Sequence, residues 1–244
     1  MNTNLIRINK AFSVLGIMSR RATEAAIKSD RIKVNGKAAH VGMQVNLQKD
    51  IIELDGTLIK TKMPEEPIYI MLNKPRGYLC TAKDEQDRKI ARSLITDIKE
   101  RIYNVGRLDK NSEGLLLFTN DGEFANNIIH PKNKITKEYK VTVTPKVNKE
   151  ILVGLNSQLF IDGGNLAPAK VTIAKEYEDR TVLKFVITQG KNRQIRKMCQ
   201  IFALEVKKLK RVQIGQLKLG TLAVGKYRHL TEKEVMSFKK GGWQ

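Results

Sequence analysis

The sequence predicts an α+β protein in two parts, a small N-terminal module and a larger domain after it. Three observations lead there. Apolar residues recur at helical spacing near the N-terminus, at Leu5, Ile8, Phe12 and Leu15. From Ile68 onward, apolar or alternating runs of strand length recur along the chain. Between these regions, Thr61 to Pro67 carries two prolines and mixed charge, a composition that helices and central strands avoid. The expected division is residues 1–62 as the first module, 63–67 as linker, 68–240 as the main domain and 241–244 as a loose tail.

In the first module, Gly16 is placed to end the first helix and Ser19 to cap a second, with Ala22, Ala25, Ala26 and Ile27 expected to face inward. Arg20 and Arg21 open that second helix. Cations there oppose the helix dipole at a cost of roughly 0.3–1 kcal/mol each, which phosphate binding would explain. Arg31 to Lys37 reads as a strand entering an Asn35-Gly36 turn, and Asp50 to Leu54 as another before Asp55-Gly56.

The main domain starts with a buried strand at Ile68 to Leu72 that runs into the turn Pro75-Arg76-Gly77. Asp84 to Arg101 has apolar residues at Ile90, Leu94, Ile95 and Ile98, which predicts a surface helix. Leu115 to Phe118 is a buried strand. Asn120 or Asp121 can cap a helix that buries Phe124, Ile128 and Ile129 and stops near Pro131. Lys137 to Val143 and Thr181 to Thr188 alternate as strands, and Asp162 to Asn165 is a turn. A helix beginning near Asn192 would bury Ile195, Met198, Cys199 and Phe202 while Arg193, Arg196, Lys197 and Gln200 face away. Glu205 to Arg211 follows as a basic strand or loop.

Charge narrows the class of partner. The chain carries 45 Lys and Arg against 25 Asp and Glu, a formal +20, so polyanions are its natural partners. Residues 180–240 hold 16 cations against 3 acids, and residues 1–62 hold 11 against 5, which suggests two separate basic regions. Cys80 and Cys199 are far apart, and His40, His130 and His229 are scattered, so neither a disulfide framework nor a metal site is expected. With no membrane-length apolar stretch and no secretory signal, a cytoplasmic location follows as an expectation.

One carboxylate stands out. Asp109 lies between Gly106 and Gly114, flanked by Arg107 and Lys110, just ahead of the apolar strand. Taken alone it reads as a turn residue. Yet Gly106-Arg107-Leu108-Asp109 followed by Ser112-Glu113-Gly114-Leu115-Leu116-Leu117-Phe118-Thr119-Asn120-Asp121-Gly122 resembles the catalytic segment of the bacterial ribosomal RNA pseudouridine synthases. Leu72-Asn73-Lys74-Pro75-Arg76-Gly77, Lys137-Glu138-Tyr139 and Gly190-Lys191-Asn192-Arg193-Gln194-Ile195-Arg196-Lys197-Met198 are similar to further segments of that family, with Lys197 where the family has Arg. Residues 1–62 resemble its S-four RNA-binding domain, through Ser19-Arg20-Arg21 and Val34-Asn35-Gly36-Lys37. The match is to the small-subunit-enzyme-like family, nearest the branch that acts on large-subunit ribosomal RNA and can also modify a tyrosine transfer RNA.

This resemblance implies a mainly antiparallel, mixed central sheet flanked by helices, and a site in which Asp109 is catalytic. It also implies that Tyr139 stacks on the target uracil and that Arg196 pairs with Asp109. An Arg has a physical reason to be there: its planar fork stays charged and can hold both oxygens of a carboxylate that is losing its hydration. Arg7, Lys10, Arg20, Arg21, Lys74, Arg107, Asn192, Arg193 and Lys197 are the expected RNA contacts. The reaction frees the ribose from the glycosidic nitrogen and rejoins it to ring carbon five, with no atom gained or lost, so no cofactor is expected. The carboxylate could serve as nucleophile or as base. The partners expected are ribosomal RNA, chiefly large-subunit, and transfer RNA; no membrane is expected, and the protein should act as a monomer. A rival reading is a non-catalytic RNA-binding factor in ribosome assembly or stress.

Overall fold

The computed structural model describes residues 5–61, 66–81 and 86–239. The proposed tail, most of the linker and the start of the segment at Asp84 lie outside the described residues. The chain divides into two compact units, one of Met1–Pro67 with Ile98–Ile102 and Asn120–Gly122, the other of Ile68–Asp97, Tyr103–Thr119 and Glu123–Gln244.

In the first unit, β1 (Leu5–Arg7) leads into α1 (Ile8–Val14), and α2 (Arg20–Lys28) follows. Next come β2 (Ile32–Val34), β3 (Lys37–Ala38), β4 (Gln44–Asn46), β5 (Ile52–Leu54) and β6 (Thr57–Leu58). The first three residues of the predicted opening helix are therefore a strand, paired with β4. Gly16 has φ +75°, consistent with its place after α1. The Ser19 hydroxyl accepts from the Ala22 N–H at 3.1 Å, so the cap read from sequence is made. The face of α2 is rotated from expectation: Thr23, Ala26 and Ile27 are buried, whereas Ala22 and Ala25 are exposed. Thr23 faces inward because its hydroxyl has a partner, the Ser19 carbonyl at 3.0 Å. Ile8, Phe12, Ile27, Ile32, Val45 and Ile52 make the core of this unit. Asn35 and Gly36 both have positive φ, which the two-residue turn joining β2 to β3 requires.

The second unit is built on β7 (Tyr69–Lys74), β8 (Tyr103–Val105), β9 (Glu113–Thr119), α3 (Gly122–Ile129), β10 (Lys137–Thr144) and α4 (Lys149–Asn156). It continues through β11 (Phe160–Ile161), β12 (Gly164–Asn165), β13 (Lys170–Glu176), β14 (Thr181–Ile187), α5 (Gln194–Ile201), β15 (Glu205–Ile214), β16 (Leu217–Lys218), β17 (Tyr227–His229) and α6 (Glu232–Lys239). A nine-stranded sheet runs in the order β13-β14-β10-β15-β9-β7-β17, with β16 beside β15 and β8 beside β9. The β15–β9 pair is parallel and the other named pairs of this sheet are antiparallel. Phe124 and Ile128 of α3 and Val235 and Phe238 of α6 pack with Met71, Leu115 and Leu117 of the sheet. Ile129, expected inside, is exposed.

The helix predicted over residues 84–101 is reduced, among the described residues, to a 3-10 turn at Ala91–Leu94. The backbone has another partner: Leu79 N–H donates to Lys89 O, and Ala91 N–H to Leu79 O, both at 2.8 Å. Those bonds hold Ile90 extended, so an α-helix cannot pass through it. The glycine inside α4 is explained by packing. A Cβ on Gly154 would lie 2.4 Å from Cε1 of Phe202, so the ring occupies the missing side chain's place.

Candidate active site

The parallel pairing of β9 and β15 places their entering ends on the same side of the sheet, with Lys210 opposite Glu113 and Arg211 opposite Gly114. The loop that enters β9 carries Asp109, and the helix that precedes β15 carries Arg196. Residues 87 positions apart in sequence thus meet, with Arg196 Nε 3.9 Å from Asp109 Oδ2.

That loop is held at nearly every residue. Asn104 Nδ2 donates to Gly106 O at 2.6 Å, Leu108 N–H to Cys80 Sγ at 3.3 Å, and Ser112 N–H to Asp109 O at 3.0 Å. Gly77 N–H donates to Lys110 O at 2.8 Å, and Arg196 Nη2 to Asn111 O at 3.1 Å. Lys74 Nζ completes the set, donating to Ser112 O at 2.7 Å and Pro75 O at 2.9 Å. A loop with its own backbone groups so fully engaged presents a carboxylate from a rigid support.

Two expectations change here. Lys74 was expected to contact RNA, but it is 0% exposed and its ammonium is spent on the two carbonyls beneath the Asp109 loop. Burial lowers its pKa from the ordinary lysine range, while the carboxylates of Asp109 and Glu113 pull the other way. Nor does the Arg196 fork hold both carboxylate oxygens. Its Nη1 donates to Val206 O at 3.3 Å and its Nη2 to Asn111 O, which leaves Nε, without a hydrogen-bond partner, as the atom nearest Asp109. Burial first, and then the charge of Arg193, lower the Arg196 pKa from its ordinary value, with Asp109 opposing.

Asp109 stands where two spaces join. A cleft of about 710 Å³ is lined by Cys80, Arg88, Arg107, Lys110, Asn192 and Arg193 among others, a strongly cationic wall. A recess of about 80 Å³ opens beside it, walled by Tyr139, Ile187, Ile195 and Leu209, with Ser112 and Gln194. Asp109, Arg107 and Arg193 border both. Tyr139 sits on β10 at a register shift between Glu138 and Tyr139, and such irregularities re-aim a side chain. The turn before α5 is also special: Arg193 has φ +50°, and the helix starts at Gln194, two residues after the predicted start. Arg107, Asn192 and Arg193 are exposed, and so are Arg7, Lys10, Arg20 and Arg21 in the other unit. Lys197 is half-buried and paired with Asp162.

The sheet beneath the site holds more positive charge. Arg211, 3% exposed, lies opposite Tyr139 on β15 and donates Nε to Leu115 O at 2.7 Å. Lys137 is half-buried, donates to Ile135 O and Thr188 O, and has its pKa lowered to about 8 by burial and by Arg211. In an unfolded chain its value returns to about 10.5. Between those values the unfolded state binds more protons, so the Lys137 contribution to stability rises with pH. Urea unfolding of Lys137→Met should accordingly show a wild-type-minus-variant stability that increases across that window; a flat difference would show that Lys137 keeps an ordinary pKa.

Asp109, Tyr139 and Arg196, to which the motifs point, come together at one place. Ser112, Gln194 and the structural duty of Lys74 emerge only in the fold. All three stand inside the quoted motifs, but no periodicity marks a buried polar residue as a wall of a recess.

Residues 68–201 match the RNA pseudouridylate synthase family. An uncharacterized RNA pseudouridine synthase of Aquifex aeolicus is 40% identical over 96% of this chain and 94% of its own length. Ribosomal large subunit pseudouridine synthase B of Bacillus subtilis is 39% identical over 94% of this chain and 93% of its own. The dual-specificity RNA pseudouridine synthase RluF of Escherichia coli is 36% identical over 96% of this chain and 79% of its own. A solved crystal structure of a pseudouridylate synthase, 27% identical, superposes with a TM-score of 0.69 over 96% of this chain and 99% of the other. A loop-borne carboxylate stands between a cationic cleft and a small recess, and on these matches the chain belongs to the RNA pseudouridine synthases, isomerases that convert uridine in RNA to pseudouridine.

Proposed function

We propose that the protein isomerises a uridine of large-subunit ribosomal RNA, with Asp109 acting on a nucleotide turned out of its stack into the recess. The observation that carries this reading is the position of Asp109 at the mouth of that recess, with Tyr139 in its wall and Arg196 3.9 Å away. Tyr139 offers the flat face on which an unstacked uracil can rest. Arg196, mostly buried, turns its Nε toward the carboxylate and sets a positive charge beside it. Arg107, Asn192 and Arg193 bind backbone phosphates along the cleft, and Arg107 also helps keep the nucleotide extruded. Lys197, on the same helix, is held by Asp162 and would reach RNA only by leaving that pair.

Breaking the bond from C1′ to N1 and making the bond from C1′ to C5 requires that a proton leave C5 and one arrive at N1. Asp109 is the group placed to engage the sugar or the base first and to take the C5 proton afterwards. Residues 1–62, with exposed Arg7, Lys10, Arg20 and Arg21, serve as an S-four-like RNA-binding module, and residues 68–240 as the catalytic domain. The preference for large-subunit RNA is supported by the name of the Bacillus subtilis relative, and a second RNA, tyrosine transfer RNA, by the family resemblance and the dual specificity of the Escherichia coli relative.

Incubation of the protein with unmodified transcripts of both ribosomal RNAs and of tyrosine transfer RNA tests this directly. One isomerised uridine in the large-subunit transcript is expected, matched by its loss in cells lacking the protein. Modification confined to small-subunit or transfer RNA would defeat the substrate assignment.

A further inference from the structure

Among the described residues, two buried side-chain atoms without a hydrogen-bond partner belong to residues that wall the recess, Ser112 Oγ and Gln194 Nε2. Ser112 is 1% exposed and Gln194 4%. A buried donor left unmet is costly, and native structures seldom keep one without a use for it. The orientation of the Gln194 amide is set from the other side: Lys191 N–H donates to Gln194 Oε1 at 3.1 Å. The carbonyl end is therefore engaged with the backbone of the Lys191 turn, and the amino end is the free donor. Gln194 is the first residue of α5, so it is carried on a helix and not on a loose loop.

We infer that Gln194 reads the target base by donating from Nε2 to a ring carbonyl oxygen of uracil, with the Ser112 hydroxyl serving a neighbouring polar atom of the same edge. This rests on the reading of the recess as the uracil pocket. Uracil presents carbonyl acceptors at C2 and C4 on either side of N3–H. Turning the ring by half a revolution about the axis through N3 and C6 exchanges N1 with C5, as the reaction demands, and exchanges O2 with O4. A donor that meets a carbonyl oxygen before the turn thus meets a carbonyl oxygen after it. Gln194 can hold substrate and product orientations with one unmoved group. Cytosine, by contrast, has an amino group at C4, and in one of the two orientations it sets a donor against the Gln194 donor.

The test compares wild type, Gln194→Glu and Gln194→Met on a large-subunit transcript that the wild type isomerises, and on the same RNA with cytidine at the target. Binding is measured in an Asp109→Asn background so that no turnover intervenes. Gln194→Glu keeps an acceptor for Lys191 N–H but sets a buried carboxylate in place of the amide, which lowers its melting temperature, so Gln194→Met serves as the uncharged comparison. On uridine RNA both variants should lose about tenfold or more in kcat/KM, the scale of one buried hydrogen bond. The wild-type preference for uridine over cytidine should vanish in Gln194→Met and reverse in Gln194→Glu, whose carboxylate accepts from the cytosine amino group. A merely structural role would not reverse it. Gln194→Glu with wild-type turnover and preference overturns the inference, as does equal affinity of the unsubstituted Gln194 protein for the two RNAs. If the wild type isomerises no uridine in any large-subunit transcript, the proposed function is what fails.

Discussion

Asp109→Asn should abolish pseudouridine formation while leaving affinity for the RNA within about tenfold, since about 1.4 kcal/mol corresponds to one decade. Asn has the same shape and still accepts a hydrogen bond, but it carries no charge with which to attack, or to take a proton. The loop would not be disturbed, because the bonds that hold it, from Gly77, Lys74, Arg196 and Ser112, all end on backbone carbonyls. In the proposed reading most of the affinity comes from cations along the cleft and from the other unit, and none of those is changed. Loss of the charge should leave Arg196 facing a neutral amide, a small effect on folding because the guanidinium retains Val206 O and Asn111 O. Turnover is read by chemical mapping of pseudouridine and affinity by filter binding. Measurable turnover by the purified variant would remove Asp109 from the chemistry.

Gly114→Ala should be the most damaging single methyl group in the second unit. An added Cβ would lie 2.2 Å from the Arg211 carbonyl oxygen and 2.9 Å from its nitrogen, and Gly114 has φ +102°, where side chains are strained. The neighbour is backbone of the adjoining strand and cannot swing away. Overpacking and a disfavoured backbone together should cost roughly 2–6 kcal/mol, a large fraction of the roughly 5–15 kcal/mol by which domains are stable. The damage falls at the parallel join of β9 and β15, so any folded variant should also lose activity, because that join sets Asp109 beside Arg196. Gly220→Ala is the control. It has φ +60° with nothing within 4 Å of the new methyl, so it isolates backbone strain from the clash. Thermal melts decide the matter: if Gly114→Ala melts within a few degrees of Gly220→Ala, the close approach is not rigid.

Local features were legible in the sequence wherever neighbouring residues settle them. The Ser19 cap, the Asn35-Gly36 turn, the apolar strand of β9 and the alternation of β10 depend on residues a few positions apart, whose chemistry has few solutions. Asp109, Tyr139 and Arg196 could be named because their motifs arrive in a recognisable order. What only the tertiary structure decided depends on partners distant in the chain. The segment from Gln86 to Arg101 has helical spacing but spends its bonds on Leu79. Lys74 reads as a surface cation until the Ser112 carbonyl is placed above it, and Gly114 as a loop glycine until Arg211 passes against it. Gln194 reads as one polar residue in a basic helix until the recess leaves its amino group without a partner. Periodicity reports which face of an element is apolar; which backbone or base will meet a given side chain is set by the pairing of β9 with β15, across almost a hundred residues.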